Sequence, residues 1–486
     1  MNNMEISELD YIKGMLDAGP ELARSYTMGR RGAEKEKLKT RYAYFKVKKY
    51  VDEFLSGDSS NRLVTLSGLR GLGKSTLVFQ IYEYLADKGI QKDRLFYMPA
   101  DQLKNMQSKS LSEAIGDYAG YMHESSLIEL EGKRFFLIDE AHFDKEWAGV
   151  VKSVYDQSKD IFVLVTGSSA IGLSMNTDTA RRSRNEALFP LCFSEYLLLR
   201  KGIYPPRYSS SKVKEFMLSG KVPARQINSI EKALGSSLKT KNLDAEKELD
   251  FFLEYGGLTS LLYSKSVEAQ KIINDMVQKV ITADLPQIYE FESGTNQSIF
   301  RIIGNLALKK PGETSQDKLS GILGKSTSLI SRILDGLERT QLVFPIKPVP
   351  SGANAWARKP WKYYFLSPTL LYNLRISLGM DAKNIRSDGL MRETAVASAL
   401  FRMAKTSAKP LGIYYDPNKK GNVDFVLMNE LSGSKIPVEV GKGKDSSQVR
   451  DAVSRFDSPH GIVVSDFDRT ERDGKIIRMP FVSSVY

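Results

Sequence analysis

Cysteine is almost absent. Cys192 is the single one, so no disulfide can close within the chain, and its thiol content gives no support for secretion. Long apolar runs are missing too, and none approaches the roughly 20 residues that span a bilayer. The first fourteen residues carry Glu5, Glu8 and Asp10 and lack the basic-then-apolar layout of a secretion signal. A cytoplasmic location without a membrane partner is therefore expected. Neither sign of charge dominates. The 70 basic and 58 acidic residues leave +12 over 486 residues, a surplus that permits nucleic acid without requiring it. The densest basic stretch, 30–49, reads as a solvated helix face. No Asn-Lys-x-Asp run is present to read a guanine base. With 42% hydrophobic and 26% charged residues the chain is globular in balance, and its length suits about three domains.

The strongest signal is one loop. Gly68, Leu69, Arg70, Gly71, Leu72, Gly73, Lys74 and Ser75 fit the pattern G-x-x-x-x-G-K-[ST], with Thr76 following. Upstream, Leu63 to Leu66 is a short apolar run expected to form a buried parallel strand. Downstream, Leu77, Val78, Ile81 and Leu85 share one face at helical spacing, and Gly89 stops the helix. In that context backbone N–H groups and a helix N-terminus close around a polyphosphate. Lys74 is placed for the β- and γ-phosphates and Ser75 for Mg²⁺, which makes ATP and Mg²⁺ the expected cofactors.

Two further strands complete the chemistry. Phe135 to Ile138 ends in Asp139 and Glu140, one carboxylate to hold the metal and one to orient and deprotonate the attacking water. Ile161 to Val165 ends in Thr166-Gly-Ser168-Ser169, whose hydroxyls at Thr166 or Ser168 suit contact with the γ-phosphate or the water. Alternating strands and helices imply a parallel sheet covered on both faces.

Taken together, these residues resemble the AAA+ superfamily. More narrowly they resemble the prokaryotic AAA+ ATPases that carry a C-terminal nuclease-like domain of uncharacterised function. The narrowing feature is Ala180-Arg-Arg182 followed by Leu188-Phe-Pro-Leu-Cys192-Phe-Ser-Glu195-Tyr-Leu197. Two departures stand out: Arg181 replaces the family glycine and Cys192 the family serine. The resemblance implies that Arg182 delivers a charge to a γ-phosphate, in its own site or in a neighbour's within a homo-oligomer. It also implies a helical lid near Phe251 to Leu258, whose double glycine, Gly256-Gly257, permits a tight turn between helices. The motif-poor segment 201–248 reads as a variable insertion with some helix.

Beyond Gln297, three helical segments and an extended pair predict a winged helix, which the resemblance also implies. Its third helix would present Ser326, Thr327, Ser331 and Arg332, with Arg358, Lys359 and Lys362 near the wing, making double-stranded DNA a possible partner. The tail places Glu393 on a helix and Asp424 and Glu439 on strands, resembling the PD-(D/E)XK nuclease fold, whose carboxylates hold Mg²⁺. The family lysine should follow the last acid by two residues. Gly441 stands there instead, and Lys442 is turned to the opposite face by its one-residue offset. That favours a retained scaffold over an active nuclease.

The expected fold class is α/β: a P-loop, AAA+-like parallel-sheet core with helical lid, winged helix and restriction-endonuclease-like tail. The expected segments are a helical extension (1–40), the ATPase core (41–200), the lid with its insertion (201–292), the winged helix (293–385) and the tail (386–486). The expected function is Mg²⁺-dependent ATP hydrolysis driving a switch or a DNA-handling machine. The alternatives are a nucleotide-gated regulator with slow hydrolysis, and an ATP-dependent nuclease of a mobile element or defence system.

Overall fold

The computed structural model describes residues 3–31, 34–122, 126–168, 177–264, 266–292, 294–313, 315–350, 360–418 and 421–486. It falls into two compact units, Met1–Phe189 and Pro190–Tyr486. This division is coarser than the five segments expected, and it cuts within the stretch 41–200.

The first unit is built on five strands: β3 (Leu63–Ser67), β4 (Leu95–Pro99), β5 (Arg134–Asp139), β6 (Ile161–Gly167) and β7 (Arg184–Ala187). They pair in parallel in the order β4-β5-β6-β3-β7. The first four are buried along their whole length, which explains their largely apolar sequences. On one face Phe96, Met98, Phe136, Ile138, Val163 and Val165 pack with Ile115, Trp147 and Val151 from covering helices. On the other face Phe54 meets the rings of Phe135 and Phe162 at 5.5 and 5.6 Å. The two-residue period of each strand thus feeds two separate cores.

Before the sheet, the long helix Asn3–Thr27 leads into an antiparallel hairpin of β1 (Met28–Arg31) and β2 (Glu34–Lys37), then the helix Tyr42–Leu55. The basic stretch is therefore part hairpin and part helix, not one solvated helix face. Arg41 is 5% exposed, and its guanidinium donates to the carbonyls of Leu72 in the P-loop (2.7 Å) and Phe189 (2.8 Å).

The second unit begins with helices. Residues 201–248, expected as an insertion with some helix, hold Ser209–Ser219, Ala224–Thr240 and the start of Ala245–Phe251. The double glycine sits at a turn between helical segments, and both residues are crowded. Gly257 lies at φ −77°, and a Cβ there would collide with Ser367 Oγ and meet Thr369 Oγ1 at 2.7 Å. A Cβ on Gly256 would meet the Tyr196 ring at 2.7 Å. Both positions are held small by the neighbours that press on them.

Three helices follow, Thr295–Leu308, Gln316–Leu323 and Thr327–Arg339, and then an antiparallel ribbon of β8 (Val343–Pro348) and β9 (Lys362–Phe365). The ribbon does not stand apart. β8 also pairs in parallel with β10 (Leu411–Tyr415), and through it with β11 (Phe425–Asn429), β12 (Lys435–Val440), β13 (Gly461–Ser465), β14 (Glu471–Asp473) and β15 (Ile476–Pro480). One eight-stranded sheet, in the order β14-β15-β13-β12-β11-β10-β8-β9, crosses the boundary expected at residue 385.

Candidate functional site

The P-loop runs from the end of β3 to the helix Lys74–Asp87. Gly71 and Gly73 take φ of 77° and 82°, the left-handed region that lets a loop curl without a Cβ clash. Gly73 caps the helix, so the helix N-terminus and its free amides point into the loop. Lys74 is 4% exposed, and its ammonium donates back to the carbonyls of Gly68 (2.9 Å) and Leu69 (3.3 Å). Ser75 hydrogen-bonds Asp139.

Asp139 ends β5, one strand removed from β3, and β6 between them carries Thr166. The Thr166 hydroxyl donates to Asp139 Oδ1 and accepts the Glu140 amide proton at 3.1 Å. Tyr97, in the middle of β4, donates to Asp139 Oδ2 at 3.2 Å. Burial pushes the Asp139 carboxyl up from its ordinary range and the Glu140 charge adds to this, against hydrogen bonds from Thr166 and Ser75 and the charge of Lys74. A buried acid crowded by a second acid and bonded to Ser75 has the chemistry of a cation site, so Asp139 and Ser75 fit Mg²⁺.

Glu140 sits at φ 52°, a left-handed conformation uncommon outside glycine. Its Oε1 lies 3.9 Å from Lys74 Nζ, and its Oε2 lies 3.7 Å from Arg70 and 3.4 Å from His142 Nε2. The Ser168 amide donates to His142 Nδ1 at 3.4 Å. Ser168 thus meets the site through its backbone; Ser169 lies outside the described residues. Three participants went unread in sequence. Tyr97 sits inside an otherwise apolar strand, His142 follows the two acids in a charged turn, and Arg41 is hidden in a basic run.

Arg182 is not brought to this cluster. It precedes β7, whose Arg184 stands beside Val64 near the start of β3, whereas the P-loop leaves from Ser67 beside Ala187. The strands are parallel, so Arg182 lies toward the N-terminal ends of the strands and Lys74 beyond their C-terminal ends, and the Arg182 guanidinium is 3.1 Å from Asp156. The run after it holds the second unit together. Phe193 N and Ser194 Oγ donate to the carbonyls of Val485 and Tyr486, and buried Glu195 pairs with Arg402 at 3.0 Å.

In the second unit, Ser326, Thr327, Ser331 and Arg332 are exposed, but Arg332 is engaged. It donates to the Glu290 carbonyl and lies over Tyr289 at 5.2 Å and Phe291 at 5.5 Å. Lys362 lies over the Tyr415 ring; Arg358 and Lys359 fall outside the described residues. The tail acids do converge. The Asp424 amide donates to Glu439 Oε2 (3.2 Å), the Val440 amide to Asp424 Oδ2 (2.8 Å), and Tyr364 to Glu393 Oε1 (2.6 Å). Burial raises all three carboxyls, and the Asp424 charge raises Glu393 and Glu439 further. The lysine among them is Lys444, whose ammonium sits 2.5 Å from Glu439 Oε1. Among the described residues, no three acidic, histidine or cysteine side chains gather closely enough to hold a metal ion by themselves. No described helix is long and apolar enough to cross a membrane.

Residues 60–197 match the family model described as "AAA domain". An uncharacterised protein of Methanocaldococcus jannaschii, MJ1637, is 31% identical over 474 residues, covering 97% of this chain and 92% of its own. An uncharacterised protein of Haemophilus influenzae is 21% identical, covering 65% of this chain and 70% of its own. Among solved structures, AMPPCP-bound DnaA from Aquifex aeolicus is similar at 16% identity over 61% of this chain and 86% of its own, with a TM-score of 0.25, too slight to assign anything by. The alignment with the Methanocaldococcus protein spans nearly the whole length of both, so the chain belongs to the MJ1637 family, and its nucleotide-binding core is an AAA domain.

Proposed function

We propose that the chain is a Mg²⁺-dependent ATP hydrolase whose cycle works a switch or a DNA-handling machine. The observation that carries this reading is the meeting, at the C-terminal ends of the central parallel strands, of buried Lys74 with Asp139, Glu140 and Thr166. The loop amides and Lys74 bind the triphosphate. Ser75 and Asp139 hold Mg²⁺, which when bound neutralises charge developing on the phosphate oxygens. Glu140 orients the attacking water and takes its proton, and Thr166 keeps the two acids in register. Arg182 is assigned to a neighbouring protomer's phosphate, since it stands toward the opposite ends of the strands from Lys74. Lys74→Ala is expected to abolish ATP binding and turnover, and Glu140→Gln to bind ATP without hydrolysing it. Turnover by Glu140→Gln at the wild-type rate would remove the base assignment. Double-stranded DNA, met by the exposed start of Thr327–Arg339, is the proposed client. Stimulation of single-turnover hydrolysis by DNA supports a DNA-handling machine, and a slow rate indifferent to DNA supports the regulator.

A second reading is favoured by Lys444. It supplies the ammonium missing at Gly441, so Glu393, Asp424, Glu439 and Lys444 have the composition of a phosphodiester-cleaving centre. Mg²⁺ commonly needs only one or two carboxylates, with water and substrate completing its shell. Asp424 and Glu439 would hold it, and Lys444 would act on the water. Divalent-cation-dependent nicking of a plasmid by the full chain is the test.

A further inference from the structure

The P-loop carries a cation besides Lys74. Arg70 occupies one of the loop's variable positions, where a phosphate cradle asks only for backbone amides, yet its side chain is only 16% exposed. Its guanidinium stands 3.7 Å from Glu140 Oε2 and 6.0 Å from the centre of the Phe143 ring. Lys74 approaches the other oxygen of the same carboxylate at 3.9 Å. Both loop cations therefore lean on the group assigned to the water. The Glu140 backbone is pinned, its amide bonded to Thr166 Oγ1, so rearrangement at this residue falls to the side chain. A triphosphate in the loop brings a larger negative charge to the same two cations, and guanidinium forms its strongest pairs with such oxyanions.

We propose that Arg70 is a phosphate-binding residue whose pairing with Glu140 is a competitive latch: nucleotide phosphates take Arg70 from the carboxylate and free it to meet the water. This rests on the ATPase reading and adds to it a residue and an order of events. Glu140 is then an internal competitor of the nucleotide. Removing its charge tightens nucleotide binding, and the gain depends on Arg70. A residue that merely props up the loop would weaken binding without any such coupling.

The test is a double-mutant cycle on the full chain, read as the affinity for the non-hydrolysable analogue AMPPCP in Mg²⁺. Glu140→Gln is expected to tighten binding about fivefold and Arg70→Ala to weaken it about tenfold, the scale of couplings between charged neighbours. In the double variant the gain from Glu140→Gln shrinks to less than about twofold, and Arg70→Lys falls between Arg70→Ala and wild type. Equal gains in both backgrounds, or wild-type affinity in Arg70→Ala, overturn the latch and leave the ATPase reading standing. A wild-type chain that does not bind AMPPCP overturns both.

Discussion

Thr166 donates its hydroxyl proton to Asp139 and accepts the amide proton of Glu140, so one side chain at the tip of β6 fixes both acids at the tip of β5. Thr166→Val keeps the shape and removes both bonds, leaving an amide and a carboxylate oxygen unpaired in a buried place. The expected cost is about 1–3 kcal/mol in chemical unfolding of the first unit. Turnover should fall by more than about tenfold while ATP affinity changes little, because Lys74 and the loop amides are untouched. Steady-state kinetics resolving kcat from KM checks this.

The two tail lysines separate cleanly. Lys444 touches Glu439, whereas Lys442 lies on the other side of the left-handed Gly443. Plasmid nicking in Mn²⁺ or Mg²⁺ should be lost in both Asp424→Ala and Lys444→Ala and should persist in Lys442→Ala. A wild-type chain that leaves plasmid intact returns the tail to a scaffold role.

His460 gives the second unit a pH dependence. Its Nε2 lies 2.9 Å from the Met217 carbonyl, and burial, helped by the charge of Arg472, holds the imidazole below its ordinary value of 6.5. A depressed imidazole favours the neutral ring in the folded state. Its contribution is therefore full above pH 6.5 and drains away as pH falls from there toward the folded value. The unfolding midpoint of wild type should drop between pH 7.5 and 5.5 by more than that of His460→Gln, measured by thermal melts across the range.

Gly257→Ala should destabilise the second unit by about 1–3 kcal/mol, since the added methyl collides with Ser367 and Thr369 oxygens. Combining it with Ser367→Ala, which removes the nearer oxygen, should restore part of the loss. Urea unfolding of the single and double variants reads the difference.

The buried strands were legible because a strand covered on both faces is mostly apolar, as in the middle of Leu63–Ser67 and of Arg134–Asp139. The loop after β3 was legible because phosphate chemistry fixes glycines and a lysine at set spacing. What escaped reading depends on distant partners. The hairpin around Met28–Arg31 has no apolar period to announce it. Arg41 looks solvated among other cations, and only the fold shows it bonded to Leu72. Lys444 was missed because spacing along a strand says nothing of a side chain returned by the turn after it. The double glycine announces a turn, whereas the crowding of Gly257 by Ser367 and Thr369 shows only in the fold.

The pairing of Tyr414 with Lys347 and Tyr415 with Pro348 splices the ribbon to the tail along a shared backbone seam. Cutting the polypeptide between the two would not free a self-sufficient tail; it would strip β10 of its neighbour and bare peptide groups that invite another copy to fill the gap. A torque applied to the ribbon is handed on as a twist of the whole sheet, and the acids flanking β11 and β12 ride with it.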